Sequence, residues 1–166
     1  MTLLEYEGYF RDEIASKKII GHKQTDTRFL MLDDAELERT QSTLTNENFF
    51  MILHKPYMKP FVNEAGGVFI RNFCSFTIAQ NIGKGVTEKI PKDIQNQAFI
   101  IAVKIIKKIL KDLLNGNFPL GEMEVEKMEM HYMKGMLTNS AGITVDFELI
   151  SMLAPYCNFD PNDFQS

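Results

Sequence analysis

The chain has 166 residues, the usual size of one domain and enough to bury a core without disulfides or metals. Its 18 basic and 22 acidic residues give a formal net charge of −4, which does not indicate a general nucleic-acid-binding protein, since such proteins neutralise phosphates with a basic surface. The two cysteines are far apart and form no metal-ligand spacing, and the longest apolar stretch is too short to span a bilayer. We therefore predict one cytoplasmic domain over residues 1–166, with reduced thiols.

The N-terminal third predicts a helix followed by two short strands. Thr2 and Glu5 have the spacing of a capping box, and an apolar stripe follows them, so a helix is expected over about 3–17. Residues 28–32 (RFLML) and 48–54 (NFFMILH) are short apolar runs bounded by polar residues. Both runs are typical of buried strands.

The middle of the chain predicts an exposed loop and then a long strand. Residues 57–67 contain Pro60 and the Gly66-Gly67 pair, which predict an exposed loop. From Val68 to Ile78 apolar residues occupy both alternating faces. A strand with two apolar faces is expected at the centre of a sheet.

The strongest element of the sequence is a helix over about 91–115. Apolar residues recur at spacings of three and four, at Ile94, Ala98, Ile101, Ile105, Ile109 and Leu113. Pro91 suits a first helical turn and Asn115-Gly116 suits a C-terminal stop. The four lysines on another side of the helix are interpreted as a solvated face rather than a nucleic-acid site.

The last third predicts a long hairpin and an irregular tail. In residues 122–132 the apolar alternation slips by one residue at Glu126-Lys127, which indicates a β-bulge, and the methionines of this strand are expected in the core. A turn over 138–142 precedes a strand over 143–149, and 155–166 is a predicted irregular tail. The predicted class is α+β: a mostly antiparallel sheet of four to five strands with a bulged C-terminal hairpin, packed on one long helix and an N-terminal helix.

No set of residues predicts a catalytic, cofactor or metal site. His22, His54 and His131 are scattered and have no zinc-binding spacing, and neither cysteine has the context of a nucleophile. The acidic cluster Asp33-Asp34-Glu36 is explained by capping of a helical turn, although metal binding is its functional alternative. We predict that the protein is not an enzyme.

The order of these elements resembles that of phage tail-terminator proteins and related tail proteins of contractile machines. Local pieces of the sequence also look like prophage-encoded proteins of that group: Ile20-Gly21-His22, Arg28-Phe29 before Asp33-Asp34-Ala35-Glu36, Gly67 with Arg71 and Ser75-Phe76, and Gly142. The similarity covers nearly the whole chain.

The resemblance implies a homo-oligomeric ring, expected to be a hexamer, that caps the tail tube and joins it to the neck or head. It implies tail-tube and neck proteins as partners, with no catalytic residue, no cofactor, no membrane and no sequence-specific nucleic acid. Ring closure requires that one surface meets a different one on the next copy. The expected contacts lie in the 57–67 loop, at the bulge and in the tail, at Tyr57, Met58, Phe61, Glu126, Lys127, Tyr156, Phe159 and Phe164.

Two other classes of function fit the same sequence. A small-ligand-binding domain would use apolar space between helix and sheet, where methionines suit an adaptable pocket. A metal-dependent hydrolase would use the acidic cluster at Asp33, Asp34 and Glu36.

Overall fold

A computed structural model describes residues 1–32, 48–82, 92–132 and 140–152, which form a seven-stranded sheet with helices packed on one face. The predicted α+β class is confirmed, but the sheet has more strands than the four to five expected. The elements are α1 (Leu3–Gly8), β1 (Phe29–Leu32), β2 (Phe50–His54), β3 (Tyr57–Val62), β4 (Val68–Asn81), α2 (Lys92–Leu114), β5 (Glu122–Met123), β6 (Glu129–Tyr132) and β7 (Ser140–Met152). The acidic cluster at 33–36 and the tail at 155–166 lie outside the described residues.

The N-terminal helix begins at the predicted capping box. The Thr2 hydroxyl accepts a hydrogen bond from the Glu5 backbone N–H at 3.2 Å, and the Glu5 carboxylate accepts one from the Thr2 N–H at 2.6 Å. After Gly8 the chain continues as a π-helical segment, Tyr9–Ala15, which is half of the predicted helix. Tyr6, Phe10 and Ile14 are fully buried, so this N-terminal helical segment packs on the sheet through the apolar stripe that the sequence predicts.

The sheet is built around the antiparallel pair of β4 and β7. Thirteen residue pairs join these strands, from Phe69 opposite Met152 to Asn81 opposite Ser140, so the predicted central position of β4 is confirmed. The order is β1-β2-β4-β7-β5, with β3 pairing with β4 and β6 with β7. Only β1 and β2 run parallel to each other among the pairs of this sheet.

The main core lies between the sheet and the two helical segments. Of the six predicted apolar positions of α2, Ala98, Ile105 and Ile109 are buried and the other three are partly buried; Ala102, which the periodicity did not single out, is also buried. The ring centroid of Phe10 lies 5.9 Å from that of Phe76 and 5.9 Å from that of Phe147. Phe76 and Phe147 are diagonal neighbours on the paired strands β4 and β7. The helix is described from Lys92 to Leu114, and Gly116 follows with φ +69°, in agreement with the predicted stop.

The predicted loop over 57–67 is wrong, because most of it is a strand. β3 pairs with β4 along its whole length, with Pro60 opposite Ile70. Asn63 and Gly67 form a hydrogen-bonded pair, in which the Asn63 N–H donates to the Gly67 carbonyl at 2.9 Å. Hydrogen-bonded and non-hydrogen-bonded pairs alternate along an antiparallel ladder, so Pro60 and Ile70 form a non-hydrogen-bonded pair and the Pro60 nitrogen points away from β4. A proline in this position costs no ladder hydrogen bond, which is why it is tolerated on an edge strand.

The predicted bulge is larger than one residue. Met123 lies opposite Leu149 and Glu129 opposite Asp146, so six residues advance along one strand while three advance along β7. The three extra residues form a 3-10 turn, Val125–Lys127. The prediction that the methionines here are core holds for Met123, which is buried, and in part for Met128, which is half-buried against the core. It fails for Met130, because β6 lies beyond the strands on which α2 packs.

The predicted turn over 138–142 is also wrong in part. Ser140, Ala141 and Gly142 already belong to β7, and residues 138–139 lie outside the described ranges. The strand therefore begins earlier than the turn-forming composition suggests.

A buried hydrogen bond links the N-terminal helical segment to α2. The Tyr9 hydroxyl donates to Asp112 Oδ2 at 2.7 Å, and Lys108 also bonds this carboxylate. Burial opposes the ionisation of Asp112, but the hydrogen bonds from Lys108 and Tyr9 outweigh it and hold its pKa below the ordinary value. Lys108 therefore fixes a buried carboxylate and is not simply part of a solvated face.

We expect Tyr9→Phe to lower the free energy of unfolding by about 1 kcal/mol, since it removes one donor to a buried charged acceptor. Urea denaturation followed by circular dichroism measures this loss. The control is Thr27→Val, because it removes a hydroxyl from an exposed residue and should change nothing measurable. Equal stability of the two variants would show that the Tyr9 hydrogen bond is not a net stabiliser.

Candidate assembly surface

The hairpin of β3 and the first half of β4, residues 57–73, is here called the arm. Its turn is fixed by Asn63, whose backbone carbonyl accepts from the Gly66 N–H at 3.0 Å and whose side-chain oxygen accepts from the Gly67 N–H at 2.7 Å. Gly66 has φ +82°, a conformation that most side chains avoid. The turn therefore sets one register for the two strands of the arm.

One face of the arm carries uncovered apolar side chains. Met58, Pro60 and Val62 point to the same side of the sheet as the main core, because Met58 pairs with buried Asn72 and Asn72 pairs with buried Leu149. Val62 is nevertheless 65% exposed, and Val68 opposite it is also exposed. The helical layer does not cover this end of the sheet.

The opposite face of the arm is aromatic. The ring centroids of Tyr57 and Phe73 lie 5.8 Å apart, and those of Phe61 and Phe69 lie 5.7 Å apart in a stacked arrangement. The Arg71 guanidinium lies 5.0 Å from the Phe61 ring centroid, a cation–π distance. These cross-strand pairs stiffen the hairpin.

A network of four charged side chains fastens the 3-10 turn to the sheet. Lys127 Nζ lies 2.6 Å from Glu124 Oε2 and 3.0 Å from Glu148 Oε2. Arg71 Nε lies 3.2 Å from the same Glu148 oxygen, but the geometry is not that of a hydrogen bond, so this contact is an ion pair. The hydrogen bond from Lys127 lowers the pKa of Glu124, and the bonds to Glu124 and Glu148 raise the pKa of Lys127. Two cations and two anions leave this network electrically balanced.

Beside this network lies an open acidic cleft with a volume of about 520 Å³. It is lined by Phe73, Cys74, Ser75, Glu126, Lys127, Glu129, Asp146, Phe147 and Glu148. Burial raises the pKa of Asp146 above its ordinary value, while His131 Nε2 lies 3.5 Å from its Oδ2 and 3.2 Å from Glu129 Oε2. Four carboxylates against one lysine give the cleft a negative character.

Burial also raises the pKa of Cys74 to about 12, so this thiol is not poised as a nucleophile.

A buried polar chain crosses three strands on the side of the sheet away from the helices. His54 Nε2 lies 2.9 Å from Thr77 Oγ1, which in turn lies 2.8 Å from Thr144 Oγ1. These hydrogen bonds give each of these polar side chains a partner, and they are a structural reason for the buried histidine. Within 1–32, 48–82, 92–132 and 140–152, no group of three or more histidine, cysteine, aspartate or glutamate side chains is arranged to hold a metal ion.

A second uncovered apolar area lies at β6. Met130 and Tyr132 point to the helix side of the sheet, since Met130 pairs with buried Val145 and Tyr132 with buried Ile143. Tyr132 is 53% exposed, and Met130 is exposed too. Their other-face neighbours on the strand, Glu129 and His131, are exposed polar residues.

The predicted contact residues fall into three groups, and the structure describes two of them. Tyr57, Met58 and Phe61 come together on the arm, with Tyr57 and Phe61 on one face and Met58 on the other. Glu126 and Lys127 lie in the 3-10 turn across the sheet and line the cleft. The three predicted tail contacts, Tyr156, Phe159 and Phe164, lie outside the described residues.

Sequence reasoning named none of four exposed apolar residues, Val62, Val68, Met130 and Tyr132, although Val62 lies in the 57–67 segment and Met130 and Tyr132 lie in the bulged hairpin where contacts were expected. For the first two a signal existed, because Val62 and Val68 flank the five-residue segment NEAGG, which has the length of a hairpin connection. For Met130 and Tyr132, the alternation of apolar and polar residues correctly indicates that both side chains share the core-facing side of the sheet, but it does not show that this part of the face is exposed.

Comparisons with known proteins add no relative to this picture. No family model matches the chain, and no curated protein matches it at a significant level. In the part of the chain that the structure describes, no helix combines the length and apolarity needed to cross a membrane.

Proposed function

We propose that the chain is a structural protein that assembles with copies of itself into a ring, with the role of the tail terminators that its sequence resembles. The observation that carries this proposal is a pair of uncovered apolar areas, the arm and β6, at different places on one sheet. Exposed apolar areas of this kind commonly mark sites of protein association.

The two areas lie at different edges and in different halves of the sheet. β3 pairs with β4 on the side away from β7, opposite residues 68–73, and β6 pairs with β7 on the side away from β4, opposite residues 143–146. In the β4–β7 ladder, residues 68–73 lie at one end, whereas residues 143–146 lie opposite residues 75–78, from the centre into the other half. The two areas therefore differ in both the edge and the half of the sheet that they occupy.

Two different apolar areas on one chain support a head-to-tail contact. In a two-fold dimer a single patch meets itself, whereas in a ring one surface of each copy meets a different surface of the next. Such a contact repeats until the rotation closes the ring. Six copies is the number that the resemblance implies.

Within a phage-like particle the mechanism would be geometric. The ring would bind the last layer of the tail tube, stop further layers from adding and present its other side to the neck or head. The acidic cleft and the net charge of −4 support protein partners over a DNA-binding role for the described surface.

Sedimentation velocity over a wide concentration range tests the proposal. We expect the wild-type protein to form one species of several copies, and Val62→Asp to shift it to monomer, because the change places a charge in the apolar face of the arm. The matched control is Ile100→Asp, since Ile100 is 51% exposed on α2 and belongs to neither area. A wild-type protein that stays monomeric at the highest concentration would refute self-assembly as its own property.

A further inference from the structure

We propose that the β3 edge of one copy lies beside the β6 edge of the next, with Lys59 paired to Glu129. With the two strands antiparallel, this pairing places Met58 opposite Met130 and Pro56 opposite Tyr132, both on the helix side of the sheet. The inference rests on the proposed self-assembly and names its two surfaces and their partner, a second copy of this chain.

Each edge carries apolar residues on the helix side and a charged residue on the other side. On β3, Met58 and Val62 point to the helix side of the sheet, and Lys59 points to the other side. On β6, Met130 and Tyr132 point to the helix side, and Glu129 points to the other side. If neighbouring sheets meet with the same face directed the same way, apolar residues meet apolar residues and the lysine meets the carboxylate.

The charges available for this contact are limited to a few residues. Arg71 and Lys127 are held by Glu124 and Glu148, within the same chain. Lys59 is exposed and has no ion pair with another described residue. The Glu129 side chain is 69% exposed, and its ion-pair contact among the described residues is His131. The two edges thus present opposite charges that remain unneutralised by strong partners.

The backbone of β3 favours contact through side chains. The nitrogen of Pro60 faces the outer edge and carries no hydrogen, so the middle of this edge lacks a donor for another strand. An arm built in this way resists indefinite addition of strands while its side chains stay available. Specific contacts between side chains, rather than a continuous hydrogen-bonded sheet, would then set the register between copies.

Charge reversal tests the pairing, with sedimentation velocity as the readout. We expect Lys59→Glu alone and Glu129→Lys alone each to raise the concentration at which half the protein is assembled by about tenfold or more, because like charges then oppose each other. An equimolar mixture of the two variants should assemble at about the wild-type concentration, since every contact in an alternating ring pairs opposite charges again. The double variant in one chain should assemble for the same reason.

Lys104→Glu is the matched control, because Lys104 is exposed on α2 and away from both edges. It should assemble as the wild type does. If the wild type forms no assembly, the proposed function fails before the interface is tested. If the wild type assembles and the single reversals do so equally well, or the mixture of the two does not recover, this pairing is overturned while self-assembly stands.

Discussion

Ile105→Asp is expected to abolish folding. Ile105 is 1% exposed on α2 and belongs to the main core with Phe76, Val145 and Phe147. The change removes the apolar side chain and places a carboxylate there without a partner, which costs about 4 kcal/mol or more. A domain of this size has a total stability of only about 5–15 kcal/mol. Far-ultraviolet circular dichroism and a thermal scan measure the outcome.

Ile100→Asp is the matched control for this prediction, because it makes the same change on the same helix at a residue that is 51% exposed. It should fold and lose about 1 kcal/mol or less. If Ile105→Asp unfolded cooperatively at the wild-type temperature, the assignment of the buried face of α2 would be wrong. If both variants were unfolded, the helix itself rather than its packing would be the sensitive feature.

Gly142→Ala is expected to destabilise the protein by about 3 kcal/mol or more, since the backbone leaves no room for the added carbon. A Cβ at Gly142 would lie 2.1 Å from the Ile78 carbonyl oxygen and 2.8 Å from Ala79 Cα. Both atoms belong to the main chain of β4, which pairs with β7 along thirteen residues and cannot yield without disturbing that ladder. Chemical denaturation gives the loss directly.

Gly8→Ala provides the opposite expectation from the same substitution. A Cβ at Gly8 meets nothing within 4 Å, and Gly8 has helical backbone angles, with φ −58° and ψ −47°. The variant should gain about 0.5–1 kcal/mol through the better helix propensity of alanine and its less disordered unfolded state. A Gly142→Ala variant as stable as the wild type would show that β4 and β7 are less closely packed than described.

The elements that sequence reasoning predicted well are those in which length, periodicity and end signals agree. The helix Lys92–Leu114 has all three, and β4 has a long alternation with apolar residues on both faces. β3 was missed because Pro60 and the Gly66-Gly67 pair are typical of loops. Whether a proline costs a hydrogen bond depends on which edge of its strand is paired, and that is a tertiary property.

The sequence predicted only some residues of the candidate surface, and it assigned those of the arm to a loop instead of a strand. Tyr57, Met58 and Phe61 were expected to be contacts in a loop, and the structure places them on a strand. Lys127 was expected to contact a partner, and the structure shows in addition that it pairs with Glu124 and Glu148 within the chain. Periodicity showed the correct face for Met130 without showing that the helices stop short of β6.

The proposed pairing of Lys59 with Glu129 lay beyond sequence reasoning for a different reason. The two residues are far apart in the chain and on opposite edges of the sheet, so no local pattern connects them. Only the topology shows that both edges carry apolar side chains on the helix side, and that Lys59 and Glu129 both lie on the other side. The same topology explains why the contact would join different copies rather than the two edges of one chain.

Electron microscopy of the purified protein is the most direct test of the central claim, self-assembly by head-to-tail contact of the two edges. We expect class averages to show closed rings of one copy number, with neighbouring subunits related by rotation. The Val62→Asp variant should show no rings under the same conditions. Monomers, two-fold dimers or open filaments in the wild-type preparation would contradict the account.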